Sequence, residues 1–367
     1  NEIVYLDISS TSSSIAKKRA QKRKLNNIRW LEGSILDLPE MDLGSFDYIN
    51  CSGVLHHLEN PALGLRALES ILADDGAIGV MVYGKYGRTA VYQIQELMRL
   101  VNGDETDMSK KVINTSKILE YLPPTNWFRS SSDSTTDHKQ YGDTGIFDLF
   151  LHAVDRAFTI PELYQWIEGA GLELIEFAQN RHFLDPFAYI RDEKLLATIK
   201  SKPVRVQQAI AELMSGYFKK HVFYCGRSSR CVADLRQPNM VPFLWTDKTH
   251  LEAFEELNQG NESSTVFQAD SGSVTISAEP LYATLFKHID GIKTVDEIIG
   301  AVRRETSETG VSYEQVLDAL ENFYIPLNLF NLMCLRHKNV PPYLNRDQLQ
   351  SRAFGTFSSE PKPDNRF

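Results

Sequence analysis

Long apolar runs are absent from the 367 residues. None approaches the ~20 needed to span a bilayer, and no signal-peptide pattern is visible, which together predict a cytoplasmic protein with no membrane attachment. Cysteine is scarce. Cys51, Cys225, Cys231 and Cys334 form no CxxC pair and have no histidine at zinc-ligand spacing, so no metal site is predicted. Cys225 and Cys231, six positions apart, read as reduced thiols. An excess of positive charge is also missing. Lys and Arg number 39 against 48 Asp and Glu, a net charge of −9, which argues against a broad nucleic-acid surface. The one basic run, KKRAQKRK at 17–24, falls on a predicted surface helix whose side chains spread around the exterior. The composition left is that of an ordinary globular protein, 42% hydrophobic and 24% charged. The length accommodates two domains of ~100–200 residues each.

Segment 3–8, IVYLDI, is a short apolar run ending near an acidic residue and reads as a buried parallel strand. Residues 12–25 suit a surface helix; 28–32 and 46–51 are strand-like; 61–72 carries leucines at helical spacing. A DDG turn at 74–76 leads into AIGVMVY at 77–83, a buried strand. Strands alternating with helices at this rhythm predict right-handed crossovers and an α/β fold with a mostly parallel, Rossmann-like sheet. Residues 89–101 form an amphipathic helix. From 102 to 157 the chain is polar, and its irregular stretch to 145 predicts a lid or insertion. A helix from 159 to 169 or 171 and a strand at 172–177 complete this part, with 187–191 as the strand's antiparallel partner.

A second unit is predicted over 201–340, after a first domain of 1–200. It holds a helix at 204–217, short strands at 221–224, 241–245 and 273–276, and three helical segments at 280–289, 295–305 and 313–323. Three helices with flanking strands suggest a smaller α+β, winged-helix-like module. Residues 341–367 read as a disordered tail.

Ligands of open parallel sheets sit beyond the carboxyl ends of the strands. Three such ends carry polar residues. Asp7 can bind both hydroxyls of a ribose, or cap the following helix. In EGSILDLP at 32–39, Ser34 and Ile35 can meet an adenine edge with a hydroxyl and a backbone N–H, or form a plain loop. In CSGVLHHL at 51–58, Gly53 permits close backbone approach, and adjacent imidazoles at a strand end favour a site over a structural turn. The segment Tyr83–Arg88 leaves the next strand end as a substrate wall or an ordinary turn. Asp148, His152, Asp155 and Arg156 form a further polar cluster, closing over the site or salt-bridged within a loop.

Taken in order, LDIS at 6–9, EGSILDLP at 32–39, FDYINCSGVLHHL at 46–58, the DDG turn, strand 77–83 and FTIPELYQWIEGAGLELIEF at 158–177 resemble the class I S-adenosylmethionine-dependent methyltransferases over about residues 1–190. The resemblance implies S-adenosylmethionine as cofactor. Asp7 and Ile8 would lie at its ribose, Ser34 and Ile35 at its adenine, and Cys51, Ser52, Gly53 and Val54 at its methionine end. His56 and His57 would be the catalytic pair, with Tyr83, Tyr86, Arg88, His152 and Arg156 around the acceptor. The acceptor would be a small molecule or a peptide or protein. The C-terminal module resembles small winged-helix domains that bind peptides or dimerise, which makes a homodimer one expected assembly.

One departure stands out. The family's first strand and glycine-rich loop precede the acidic residue by a helix and a turn, whereas six residues precede Asp7. A fragment of a longer product is therefore expected, with the strands ending at Asp7 and Cys51 either separated by an unfilled strand position or closed up abnormally. The rival from another class is a non-catalytic scaffold that lacks the cofactor loop. A nicotinamide dehydrogenase fits less well, because its acidic residue would not be followed by SILDLP and GVLHHL.

Overall fold

A computed structural model describes residues 2–130, 137–152, 154–178, 181–216, 218–229, 232–260, 262–269, 272–307 and 310–342. Cys231 and nearly all of the tail predicted to be disordered lie outside them. Cys51, Cys225 and Cys334 are free thiols.

The chain opens with β1 (Ile3–Asp7), α1 (Ser10–Lys22) and β2 (Ile28–Glu32), the two strands running parallel from Ile3 opposite Ile28 to Asp7 opposite Glu32. The Ser9 side chain starts α1 by accepting from Ser12 N at 3.2 Å. β3 (Phe46–Ser52), α2 (Pro61–Ser70) and β4 (Leu72–Tyr83) follow as a second crossover, with Asn60 as N-cap and Pro61 opening the helix. β4 begins earlier than the sequence suggests: the DDG triplet lies inside it as an irregularity in the pairing with β3.

β1 and β2 form a sheet of their own, and β3 belongs to a separate four-stranded sheet of order β3-β4-β6-β5. Among the described residues, β1 has no strand partner besides β2, and β3 none besides β4. The strands ending at Asp7 and Cys51 have therefore not closed up; a cleft separates them.

The other side of the sheet differs from the sequence expectation. β5 (Glu173–Phe177) pairs antiparallel with β6 (Lys220–Gly226), which also pairs antiparallel with β4. Residues 187–191 are not a strand; Pro186–Ala188 is a single tight turn. The strand read at 221–224 as part of the second unit thus sits inside the first sheet, and the boundary at 200/201 runs among elements packed on it. The reason lies in the core pattern: Phe223 and Cys225 are fully buried between β4 and β5.

The polar stretch after residue 102 is helical rather than irregular. α3 (Thr89–Asn102), α4 (Met108–Tyr121), the short α5 (Trp127–Ser130), α6 (Asp137–Gln140) and α7 (Gly142–Ile146), and a wide turn at Phe147–Leu151 come together there. Val91, Ile94, Met98, Val112, Phe128, Leu149 and Phe150 give them a core of their own. Asp107 caps α4 by accepting from Ser109 N at 2.9 Å. Polar composition concealed the thin apolar stripe that makes this packing.

α8 (Ile160–Gly169) starts with a Thr159/Glu162 capping box, and α9 (Glu193–Lys200) and α10 (Val204–Ser215) follow β5. Buried Glu212 of α10 accepts Ile160 N at 3.0 Å and lies 3.1 Å from His221 of β6. That contact ties α10 to α8 and to the sheet.

The remaining elements are β7 (Met240–Leu244), α11 (His250–Leu257), the hairpin β8 (Ser264–Ala269) and β9 (Gly272–Ser277), α12 (Tyr282–His288), α13 (Val295–Glu305), α14 (Tyr313–Leu329) and β10 (Met333–His337). β10 returns antiparallel to β7, and Phe286 stacks between Phe267 and Phe323 in a separate core. Capping boxes at Thr249, Thr294 and Ser312 start three of the helices. This unit meets the first through Asn331 Nδ2, which donates to the Ala178 carbonyl at 2.8 Å, and through His182 stacked on Phe330.

The segment after β4 packs directly on backbone. A Cβ at Gly87 would lie 2.3 Å from the Phe218 carbonyl carbon, whereas one at Gly169 meets nothing within 4 Å. Gly87→Ala should therefore destabilise by ~1–3 kcal/mol through overpacking, while Gly169→Ala, inside α8, should be neutral or stabilising by up to ~1 kcal/mol. Urea denaturation of the two variants checks this; equal midpoints would contradict it.

Candidate functional site

The carboxyl ends of β1, β2 and β3 converge on one cleft of about 300 Å³. Asp7, Ile8, Gly33, Ser34, Ile35, Leu38, Cys51 and Val54 line it at that end, and Val4, Leu6, Tyr48 and Ile49 continue it between the two sheets. Ser52 and Gly53 stand outside this lining. Three sequence-predicted pieces, separated by some twenty residues each, are thus brought to one place.

Each piece is held by its own local bonds. The Asp7 carboxylate accepts Tyr5 OH at 2.9 Å through Oδ2 and Ser9 N at 2.8 Å through Oδ1. Capping and ligand binding are therefore compatible, because each carboxylate oxygen keeps a second lone pair. The turn at Ile35–Glu40 carries a Ser34/Asp37 capping box. Ser34 N–H is spent on Asp37 Oδ2 at 3.1 Å, and its hydroxyl accepts from Leu36 N at 3.1 Å. What Ser34 retains is its hydroxyl proton; Ile35 N–H is the backbone donor without a partner among the described residues.

At β3, Ser52 Oγ donates to Asn50 Oδ1 at 3.3 Å. Gly53 takes φ +78, a conformation that favours glycine, while its N–H bonds the Met81 carbonyl at 3.1 Å. Burial pushes the Cys51 thiol up to about 12, so it stays protonated at neutral pH and is no nucleophile.

The turn Leu55–His57 then delivers the histidines. The two do not play the same part. His56 is 0% exposed, and among the described residues neither ring nitrogen has a hydrogen-bond partner. Its ring lies 4.0 Å from Tyr83 and 4.1 Å from His57. Burial first, then the neighbouring His57, Arg88 and His152 charges, lower its pKa to about 3 against an opposing pull from Asp155. It is a neutral wall residue, inaccessible to an acceptor. His57 is half-buried, its Nδ1 lies 2.9 Å from the Val154 carbonyl, and its ring packs 3.9 Å from His152.

Arg88 departs from its predicted place. It is 6% exposed and bonds Asp155 at 3.3 Å, with its guanidinium 3.6 Å over the Tyr83 ring. It supports the wall from behind instead of facing an acceptor. Asp155 also accepts Gln95 Nε2 at 2.9 Å and Tyr92 OH at 3.4 Å. Arg156 is exposed, with its guanidinium 4.8 Å from the Phe158 ring, while its N–H bonds the His56 carbonyl at 3.0 Å. Tyr86 is half-buried and gives its carbonyl to Thr89 Oγ1 at 2.9 Å. Tyr92 and Gln95 were not singled out in the sequence. The signal was present: Arg88, Tyr92 and Gln95 recur at positions i, i+4 and i+7, a polar stripe along the buried face of α3.

Among the described residues no group of three or more His, Cys, Asp or Glu could hold a metal ion, and no helix is long and apolar enough to cross a membrane.

The methyltransferase-domain family matches residues 1–78. An uncharacterized protein of Synechococcus sp. is 28% identical over 307 residues, 81% of this chain and 71% of its own length. An uncharacterized protein of Rickettsia prowazekii is 28% identical over 174 residues, 42% of this chain and 69% of its own. Among solved structures, PKMT2 from Rickettsia typhi in complex with AdoHcy superposes with a TM-score of 0.63 at 15% identity, covering 92% of this chain and 67% of that one. That last likeness is one of fold. The methyltransferase-domain match thus covers the strand ends that line the cleft, and the likeness to the solved structure is one of fold over most of the chain.

Proposed function

We propose that the chain transfers a methyl group from S-adenosylmethionine to a small-molecule or peptide or protein acceptor, with the cofactor beyond the carboxyl ends of β1, β2 and β3, at the mouth of the cleft. The observation that carries this is the convergence of Asp7, Ser34, Ile35, Cys51 and Val54 on one 300 Å³ cleft. The residues suit the ligand. Asp7 offers free lone pairs to two ribose hydroxyls, and Ser34 with Ile35 offers a hydroxyl and an N–H to an adenine edge. Leu38 and Val54 supply apolar cover. Bound there, S-adenosylmethionine supplies an electrophilic methyl group. The protein's own part is to orient and to exclude water, since alignment supplies most of the rate advantage in an in-line displacement. Where the acceptor must lose a proton, His57, in the turn between the lining residues Val54 and Leu58, is the base this reading assigns.

Calorimetric titration with S-adenosylmethionine and S-adenosylhomocysteine tests this. Asp7→Ala should weaken binding by ~1–3 kcal/mol, roughly five- to 150-fold, by removing charge-assisted hydrogen bonds. Absence of any binding to a chain extended upstream through a glycine-rich loop would sink the cofactor assignment and leave the scaffold alternative, whereas binding to the extended chain alone would support the fragment expectation.

A further inference from the structure

We propose that Asp155 is a positioning residue that sets the tautomer of His57. It fixes the strap 154–156 to α3, so that the Val154 carbonyl holds Nδ1–H of His57 and Nε2 is left as the ring's free lone pair.

The geometry runs in three steps. A carbonyl oxygen only accepts, so the 2.9 Å contact from His57 Nδ1 to Val154 O requires the hydrogen on Nδ1. In a neutral imidazole the other nitrogen is then the acceptor, and which nitrogen carries the proton is set by the bond the other one makes. Among the described residues, Nε2 of His57 makes no hydrogen bond. His57 is thereby a proton acceptor through one defined atom.

What keeps the Val154 carbonyl in place is its neighbour. Asp155, its side chain 1% exposed, receives Arg88, Gln95 and Tyr92 from one face of α3. Gln95, 2% exposed, also donates to the Leu149 carbonyl at 3.0 Å, tying in the turn at Phe147–Leu151 that precedes the strap. On the other side the strap returns to the histidine turn through Arg156 N to the His56 carbonyl at 3.0 Å. His152, its ring tilted and 3.9 Å from that of His57, packs against it. One buried carboxylate thus aligns one backbone carbonyl with one imidazole nitrogen. As a role in proton removal this rests on the methyltransferase reading; as geometry it does not.

The test is long-range proton–nitrogen NMR on the full chain labelled with ¹⁵N only in histidine, at a pH where His57 is neutral, with the resonance assigned by His57→Gln. The unaltered chain should show His57 as the Nδ1–H form. Asp155→Asn should lose that pattern, with Nε2 moving from the pyridine-like to the pyrrole-like range. An Nε2–H pattern in the unaltered chain overturns the proposal without any variant, and so does an Nδ1–H pattern that persists in Asp155→Asn. Should that variant fail to fold, Gln95→Leu, which keeps the ion pair but removes one donor from Asp155 and the tether to the Leu149 carbonyl, is read the same way. None of these readouts requires cofactor or acceptor to bind, so they stand or fall separately from the titrations above.

Discussion

Arg88→Met should destabilise the protein by about 3–5 kcal/mol, and adding Asp155→Leu should recover most of that loss. The single change leaves a carboxylate that is 1% exposed with only Gln95 and Tyr92 as neutral donors. The double change removes both charges and replaces them with apolar volume, for which burial is not costly. The Arg88 guanidinium also covers Tyr83, so part of the single variant's loss is packing that methionine restores only in part. Chemical denaturation of the two variants gives the comparison. If the double variant is as unstable as the single, the pair is not the source of the loss and the wall is held by ring packing alone.

A second large effect concerns acid. His56 has its pKa lowered from 6.5 to about 3 in the folded chain, chiefly by burial. A base with a depressed folded pKa contributes its full stability above 6.5 and loses it as pH falls toward 3, because the unfolded chain binds the proton first. Three and a half pH units correspond to on the order of 5 kcal/mol at the acid limit. Stability measured by urea titration should therefore fall steadily below about pH 6.5. Carboxylates contribute to acid unfolding too, so the discriminating variant is His56→Phe, which keeps a ring against Tyr83 and His57 but has nothing to protonate. Its curve should be flatter between pH 6.5 and 4; an unchanged slope would falsify the assignment to His56.

How far the sequence could be read depended on whether a signal was local. Asp7, Ser34 and Cys51 each stand at or just beyond the end of a short strand whose pattern lies within a few residues, and all three line the cleft. β6 could not be placed that way. Its partner β5 lies more than forty residues upstream, and nothing in HVFY distinguishes a strand that joins the first sheet from one that begins a new unit. The helices after residue 102 were obscured because their apolar residues are few and are buried against one another instead of against the sheet. Arg88 was misplaced for a related reason. A cation in a loop reads as a solvent or ligand group until its counter-charge is found, and Asp155 is 67 residues away in sequence. His56 and His57 were indistinguishable as adjacent letters; a single tight turn sends one ring inward and leaves the other at the rim.

The composition of the cleft has a consequence for the heat of binding. Ile35, Leu38 and Val54 give its carboxyl-end mouth an apolar wall, which a bound ligand removes from water. Binding there should carry a negative heat-capacity change, read as a titration enthalpy that becomes more exothermic as temperature rises.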